Sequence, residues 1–314
     1  MVIGIDLGGM SAKAAVLANG VLCGKSTVKT SSEKTPQETA AALAQLCITA
    51  TEKAGKRFEN VDAIGIGSPG AIDSRSGSVV SWTNFGWNNV PLAELVQKFS
   101  GKRTFVVNDA NAAALGEAKF GAGKKYRDSV LVTLGTGVGG GILIDGKLFE
   151  GYKSAGAEIG HMVIRQNGEL CSCGRKGCFE RYASASALIR RTQAAMGENR
   201  GSAMWKIAET LKGVDGRTAF LAAKQGDEAA RRVVDDYIAS LGEGIANIVN
   251  VIRPEAVILG GGVSAEGENL LAPLRKYVMP RIYAPDYAPL DILCAQLGND
   301  AGLYGAAEFA NERL

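Results

Sequence analysis

The chain has 314 residues, 46% of them hydrophobic and 21% charged. This composition is typical of a folded globular protein long enough for two hydrophobic cores, and it excludes a disordered chain. The net charge is +3, and no run of Lys and Arg marks a surface for nucleic acid or for a membrane, so neither partner is expected.

The N-terminus opens with the β-type run Val2–Asp6 and not with the basic and then apolar pattern of a signal sequence. The longest apolar stretches, such as Val130–Leu134, have the length of a strand and fall far short of a bilayer span. These patterns predict a cytoplasmic protein.

The first 120 residues alternate between strand and helix patterns. The run Val2–Asp6, a glycine turn and a second apolar run that ends at Asn19-Gly20 predict a β-hairpin. The patterns that follow predict a helix at 36–54, strands at 61–67 and 104–109, and a helix at 110–120. The alternation predicts an α/β domain.

The plan of the first hairpin returns after Gly121-Ala-Gly123. Residues 129–134 predict a strand, Gly135–Gly141 a turn, and 142–144 a second strand. An internal duplication of this kind predicts two similar domains that face each other across a cleft.

We expect the first domain to hold residues 1–120 and a last helix, at about 299–314, that crosses back to it. The second domain would hold residues 121–298, and Gly121 would lie near the hinge. In this half a helical pattern at 227–252 stops at Arg253-Pro254, and a strand at 256–259 leads into a third glycine turn.

The only histidine and three of the six cysteines fall in one short segment. These four residues are His161, Cys171, Cys173 and Cys178. Thiolate and imidazole are the ligands that zinc prefers in a closed tetrahedral site, and the cysteine spacing cannot place all three on one helix face. We predict a loop folded around a structural Zn²⁺ without a catalytic role, in preference to a free-thiol cluster or a disulfide. The remaining cysteines, Cys23, Cys47 and Cys294, are predicted to be small core residues.

Three glycine turns offer converging backbone N–H groups of the kind that phosphate oxygens need. Singly such turns are common, but together they predict a nucleotide between the two domains. Asp6 would bind Mg²⁺, Lys13 would balance phosphate charge, and Thr136 would donate to the γ-phosphate. The predicted nucleotide-binding residues are Asp6, Gly8, Gly9, Lys13, Thr136, Gly137, Gly261 and Gly262.

The segment Gly135-x-Gly137-x-x-Gly140 also fits the dinucleotide fingerprint. The fingerprint must open a helix, whereas a β-type run follows here. The Walker pattern is absent, and an oxidoreductase is therefore not predicted.

Several motifs together resemble the ROK family of sugar kinases and sugar-responsive repressors. Their order along nearly the whole chain is Asp6-Leu-Gly-Gly, Ser68-Pro-Gly70, Asn108-Asp109-Ala-Asn-Ala-Ala, Leu134-Gly-Thr-Gly-Val-Gly, Glu158-Ile-Gly-His161 and Cys171-x-Cys-Gly-x-x-Gly-Cys-x-Glu180. Within the family, Asn84–Leu92 and Cys178–Ser184 are most similar to the bacterial glucokinases. One departure is Met10, where the family usually has Thr.

The resemblance implies the actin-like, ribonuclease-H-like fold, ATP with Mg²⁺, phosphorylation of a hexose, foremost glucose, at its 6-hydroxyl, and a homodimer. A kinase for N-acetylmannosamine, N-acetylglucosamine, mannose or allose stays open, since the same polar set would contact the shared hydroxyls. A sugar-sensing regulator without catalysis is less favoured, because those repressors carry an additional N-terminal DNA-binding segment and the hairpin here begins at Val2.

The resemblance also assigns roles to residues. Asp109 would be the base; from its position alone it could equally be a helix N-cap, and at a helix N-terminus we expect its carboxylate to stay ionised. The sugar-binding set that the resemblance implies is Gly70, Asn84, Asn108, Asp109, Glu158, His161 and Glu180. His161 could bind zinc through one ring nitrogen and a sugar hydroxyl through the other.

Overall fold

The computed structural model describes residues 1–314 in full. The chain forms two compact units. The first unit comprises residues 1–131, 141–157 and 296–314, and the second comprises 132–140 and 158–295. The domain boundaries, cleft and hinge expected from the sequence remain predictions.

Thirteen strands and ten α-helices make up the regular structure. The strands are β1 Val2–Leu7, β2 Ser11–Ala18, β3 Val21–Lys29, β4 Ala63–Ser68, β5 Ala71–Asp73, β6 Ser78–Trp82, β7 Trp87–Val90, β8 Arg103–Asn108, β9 Ser129–Leu134, β10 Val138–Ile144, β11 Lys147–Phe149, β12 Ala256–Gly260 and β13 Asp291–Cys294. The helices are α1 Pro36–Lys53, α2 Leu92–Ser100, α3 Asp109–Phe120, α4 Glu180–Ala183, α5 Ala185–Glu198, α6 Met204–Ala208, α7 Thr218–Lys224, α8 Glu228–Ile252, α9 Glu268–Val278 and α10 Ala301–Asn311. No helix is both long and apolar enough to span a membrane.

Two five-stranded sheets share one strand plan. Their orders are β3-β2-β1-β4-β8 and β11-β10-β9-β12-β13. In the first sheet β1 pairs antiparallel with β2 and parallel with β4, and in the second β10 pairs antiparallel with β11 while β12 pairs parallel with β13. The internal duplication and the α/β class predicted from the sequence are confirmed. A third sheet, β5-β6-β7, was not predicted.

The second glycine turn is shorter than the sequence predicted, because β10 begins at Val138 and takes in Gly139–Gly141. A methyl group at Gly141 would lie 2.3 Å from the Cβ of Ala114 in α3. This glycine therefore permits close packing of the strand against a helix, and the prediction that it belongs to the turn is wrong.

The sheet of the first unit is covered on one face by α1. Thr35 and Glu38 form a reciprocal capping box at the start of this helix, with Pro36 at its first position. Leu43 and Cys47 of α1 are fully buried in the same core as Ile5 and Ile64 of the sheet. Burial of side chains of this size contributes about 1.5–3 kcal/mol each.

The C-terminal helix α10 packs against the other face of this sheet and against α3. Gly4 and Gly65 lie beneath it, where added methyl groups would come 2.0 Å from the carbonyl oxygen of Leu303 and 1.7 Å from that of Ala306. The last helix thus packs on strands from the first half of the chain, inside the first unit.

The contact between α3 and α10 depends on two glycines. A Cβ at Gly305 would lie 1.6 Å from the carbonyl oxygen of Ala112, and a Cβ at Gly116 would lie 2.2 Å from that of Ala301. No side chain fits between these backbones, so the two helices can approach closely only where glycine is present.

We expect Gly305→Ala to lower the free energy of unfolding by about 1–3 kcal/mol, because the added methyl group forces α10 away from α3. The change is to be measured as a lower midpoint of thermal unfolding. Gly197→Ala is the matched control, since nothing lies within 4 Å of a Cβ at that helical position and alanine favours helix there. Equal midpoints for the two variants would contradict the close contact.

A buried carboxylate holds the segment that leads into α10. Glu117 of α3 is fully buried, and its oxygens accept hydrogen bonds from the backbone N–H groups of Ala122 at 2.9 Å, Gln296 at 3.0 Å and Leu297 at 2.7 Å. Several N–H donors compensate the loss of water around the buried carboxylate oxygens. Sequence reasoning did not single out this residue.

Candidate functional site

The first predicted phosphate-binding turn lies at the end of the β1–β2 hairpin. Asp6 of β1 stands opposite Lys13 of β2, and the backbone N–H of Gly8 closes the turn by donating to the carbonyl of Ser11 at 2.9 Å. A methyl group at Gly9 would meet nothing within 4 Å, and Met10 is 86% exposed. The backbone of this turn is open to a ligand.

Two carboxylates of the first unit influence each other. Burial raises the pKa of Asp6 above its ordinary value, the nearby charge of Lys13 lowers it, and the charge of Asp109 raises it again. Burial also raises the pKa of Asp109, and this outweighs the hydrogen bonds from Ala110 and Asn108 that lower it. Burial and the hydrogen bonds at the helix N-terminus thus act on the pKa of Asp109 in opposite directions. A bound cation would relieve the repulsion between the two carboxylates.

Asn108, and not Asp109, is the N-cap of α3. The Asn108 Oδ1 accepts from the backbone N–H groups of Ala110 at 2.9 Å and Asn111 at 3.2 Å. Asp109 occupies the first position of the helix, and one of its oxygens accepts from Ala110 at 2.8 Å. The capping explanation thus applies to Asn108, and the carboxylate of Asp109 keeps acceptor capacity for another partner.

The amide of Asn108 also positions Gly70. Its Nδ2 donates to the Gly70 carbonyl at 3.3 Å. Gly70 has a φ of 93°, and a methyl group there would lie 2.3 Å from the carbonyl oxygen of Ser81, so a side chain is excluded. The structure therefore brings Gly70, Asn108 and Asp109 together at the ends of β4 and β8.

Asn84 is exposed on the short 3-10 helix Thr83–Phe85. An aromatic cluster supports this turn, with the Trp82 and Phe85 rings stacked 3.8 Å apart and Trp87 at 5.4 Å from each in edge geometry. Such pairs add about 0.5–1.5 kcal/mol beyond their buried area. This aromatic cluster therefore fixes the position of the turn that carries Asn84.

The second unit brings the other glycine turns together. A methyl group at Gly261, whose φ is 85°, would lie 2.4 Å from the carbonyl oxygen of Leu134, the residue just before the second turn. Thr136 is exposed at the tip of that turn, and Gly262 opens the 3-10 helix Gly262–Glu266. The two turns predicted to hold phosphate are therefore neighbours.

Glu180 joins one of these turns to the cysteine segment. Its Oε2 accepts from the backbone N–H of Val138 at 3.1 Å, its Oε1 lies 4.0 Å from the sulfur of Cys171, and a methyl group at Gly137 would come 2.2 Å from Oε2. Glu180 is the first residue of the short helix α4.

The four predicted metal ligands converge on one point. One ligand atom from each of His161, Cys171, Cys173 and Cys178 lies within 4.8 Å of the others. The Cys173 and Cys178 sulfurs are 3.6 Å apart, and the Cys171 sulfur is 3.9 Å from His161 Nδ1. Two sulfurs bound about 2.3 Å from one tetrahedral zinc lie roughly 3.8 Å apart, so the spacing fits this metal.

The segment around these ligands is irregular, as predicted. Gly174 and Gly177 have φ values of 88° and 83°, and two isolated bridges, between Val163 and Cys178 and between Leu170 and Lys176, close the loop. Glu158 precedes the 3-10 helix that carries His161, and its side chain is exposed.

The remaining cysteines only partly follow the prediction. Cys47 is fully buried, but Cys23 and Cys294 are partly exposed. The sulfur of Cys294 donates to the carbonyl of Ser264 at 3.1 Å, and that of Cys23 to Val16 at 3.5 Å. The prediction that all three are core residues is therefore confirmed for Cys47 and in part for Cys23, which packs against the core from β3, and it is wrong for Cys294 at the end of β13.

Two sheets of one strand order, each with a glycine turn after its first strand, define the class of this protein as the actin-like ATPase fold. The chain is similar to a ROK family glucokinase from Streptomyces griseus solved in complex with glucose and AMPPNP, with 36% identity, 99% of each chain covered and a TM-score of 0.83. It is likewise similar to a ROK hexokinase from Thermus thermophilus, with 34% identity, coverage of 99% of this chain and 98% of that one, and a TM-score of 0.82.

Among sequence relatives, a glucokinase of Thermotoga maritima is 37% identical, with 99% of this chain and 98% of the relative covered. The ROK family model matches residues 2–313. The chain belongs to the ROK family, and the family resemblance and fold class inferred from the sequence are confirmed.

Proposed function

We propose that the protein is an ATP-dependent glucokinase, which transfers the γ-phosphate of ATP to the 6-hydroxyl of glucose. The observation on which this mainly rests is Asp109, a carboxylate at the end of β8 that does not cap α3 and whose pKa is raised by burial. The relatives named glucokinase and the complex with glucose and AMPPNP support the same reaction.

In this mechanism Asp109 orients the attacking hydroxyl and accepts its proton late in the transfer. A pKa above the ordinary aspartate value suits a base that works near neutral pH. Asn108 holds the first turn of α3 and Gly70 in place, which fixes the carboxylate relative to the sugar. We assign Gly70, Asn84, Asn108, Glu158, His161 and Glu180 to sugar binding.

We propose that Mg²⁺ and ATP bind at the glycine turns. Asp6 fits a cation, because it is partly buried beside the like charge of Asp109; Mg²⁺ would supply charge neutralisation on the phosphates. Lys13 would balance the remaining phosphate charge. The backbone of Gly8, Gly9, Gly137, Gly261 and Gly262 and the hydroxyl of Thr136 would contact the phosphates.

We assign a structural Zn²⁺ to His161, Cys171, Cys173 and Cys178. Since Nδ1 of His161 faces the sulfurs, Nε2 is left to donate to a sugar hydroxyl, and the metal would fix the tautomer that allows this. A zinc-thiolate site and ATP both fit a reducing cytoplasm, where we place the protein. A homodimer is also proposed.

A coupled assay of ADP release across a panel of hexoses tests the function. We expect glucose to give the highest kcat/KM among glucose, mannose, allose, N-acetylglucosamine and N-acetylmannosamine. A higher value for another hexose would move the proposal to that substrate. No ADP release with any of them would overturn kinase activity.

We expect Met10→Thr to lower the KM for ATP, by up to about tenfold, because a hydroxyl after the two glycines can donate to a phosphate, and such a bond contributes about 0.5–1.5 kcal/mol. Met10 is 86% exposed, so the thermal midpoint should not change. Met10→Ala serves as the control without a hydroxyl. A KM unchanged in Met10→Thr, or lowered equally in both variants, would contradict a hydroxyl contact at this position.

A further inference from the structure

Four arginines of the second unit gather around Tyr182, outside the residues assigned to catalysis. We call Arg165, Arg181, Arg190 and Arg191 the arginine cluster. The guanidinium of Arg165 lies 4.6 Å from the centre of the Tyr182 ring, and that of Arg191 lies 5.4 Å from it. The Tyr182 hydroxyl accepts from the backbone N–H of Glu169 at 2.6 Å, so the ring is held in place.

Only half of the arginine cluster is neutralised by a carboxylate. Arg181 and Arg190 both donate to one oxygen of Glu169, at 3.2 Å and 2.6 Å. Arg165 and Arg191 form no ion pair with a carboxylate. Both instead donate to the same neutral atom, the Ser240 hydroxyl, at 3.5 Å and 3.4 Å, and Arg191 also donates to the carbonyl of Asp236 at 3.4 Å.

The Ser240 hydroxyl is buried and held in one orientation. Its residue is 3% exposed, and it donates its own proton to the Asp236 carbonyl at 2.8 Å. It therefore accepts from both guanidiniums and brings them to one place without compensating their charge. Burial and the charge of Arg165 lower the pKa of Arg191, while Asp236 and Glu169 act in the opposite direction.

We propose that Arg165 and Arg191, oriented by Ser240 and Tyr182, bind a phosphate-type oxyanion. Each guanidinium makes only long bonds to neutral oxygens and keeps further N–H donors, and planar N–H pairs match the oxygens of a phosphate group. Both guanidiniums converge on a single atom, the Ser240 Oγ. Their N–H donors are therefore close enough together to bind one small anion, and they are not spread out as an extended acidic chain would require. Inorganic phosphate and a sugar phosphate share this chemistry.

Calorimetric titration of phosphate into the full-length protein tests the site. Glucose and AMPPNP are kept saturating so that phosphate cannot bind at the proposed catalytic site, and sodium chloride keeps ionic strength constant. We expect saturable binding that weakens about tenfold or more in Arg165→Gln and in Arg191→Gln, since each variant loses a hydrogen bond to a charged group. A parallel titration with glucose 6-phosphate distinguishes inorganic phosphate from a sugar phosphate. The ligand that binds more tightly is the one for which the site is selective.

Arg217→Gln is the matched control, because Arg217 is exposed in the same unit and pairs only with Asp215. It should bind phosphate like the unmodified protein. The rise of the thermal midpoint with phosphate, compared with chloride, gives a second readout and shows that each variant is folded. No saturable binding in the unmodified protein, full binding in both arginine variants, or an equal loss in Arg217→Gln would each overturn the proposal.

Discussion

Asp109→Ala and Asp109→Asn are expected to lower kcat by about 10²–10⁴-fold, because both remove the group that accepts the hydroxyl proton. Glucose should still bind, since the other polar groups of the site remain. The asparagine variant can keep the hydrogen bond from the Ala110 N–H, so helix α3 should start unchanged. Steady-state ADP release and a separate measurement of glucose binding, by intrinsic fluorescence, check the two parts.

Asp145→Asn is a suitable control, because the Asp145 side chain is 74% exposed and pairs only with the exposed Arg127. It should retain full activity. Either Asp109 variant retaining more than a few per cent of kcat would remove Asp109 as the base.

The same residue gives a pH dependence of defined sign. Burial raises the folded pKa of Asp109 above 3.8, so the folded protein holds this proton more tightly than the unfolded chain does. Stability is therefore lost as the pH rises from about 3.8 through the folded pKa. We expect Asp109→Asn to raise the thermal midpoint near pH 7 and to lose this advantage near pH 4, while kcat/KM of the unmodified enzyme rises with pH through the folded pKa. An asparagine variant less stable at pH 7 would contradict the raised pKa.

Cys173→Ser is expected to reduce bound zinc and sugar affinity together. Removing one thiolate from a tetrahedral site weakens the metal strongly, and His161 would then lose the tautomer and orientation proposed for its sugar contact. We expect the zinc content to fall from about one ion per chain towards zero and the KM for glucose to rise about tenfold or more. Zinc is to be measured by elemental analysis and KM by ADP release.

Cys23→Ser provides the matched control, since Cys23 lies outside the cluster and its sulfur makes a single long bond to the Val16 carbonyl. It should keep both zinc and KM. Zinc loss in Cys173→Ser with an unchanged KM would limit the metal to a structural role, and absence of zinc from the unmodified protein would contradict the metal itself.

Much of the fold was readable from local patterns. Uninterrupted apolar runs predicted β1, β4, β9 and β12 because these strands are buried on both faces, and repeated hairpins predicted two sheets of one plan. The sheet β5-β6-β7 was not predicted because its strands are short and half exposed. Gly141 was misread because a glycine that opens a turn and a glycine that lets a helix approach look the same in sequence.

Site residues were predictable from the sequence where they lie close together in one motif. The cysteine and histidine spacing led directly to four atoms that converge. The strand-to-helix junction left Asp109 open between a base and a helix N-cap, and only the family resemblance assigned it as the base. The choice of Asn108 over Asp109 as the N-cap could not be made from sequence, since both residue types cap helices well. Glu117 was missed because its partners at 296–297 are far along the chain, and backbone donors leave no sequence pattern.

The packing of α10 against Gly4, Gly65 and Gly116 has a consequence for biosynthesis. The β1 and β4 strands leave the ribosome early, yet the layer that covers one of their faces is made only after residue 296. Until then an apolar surface stays open on the nascent chain, and the loop that must close it runs from β1 to α10. The first half of this enzyme is thus expected to remain dependent on chaperones until α10 has been translated.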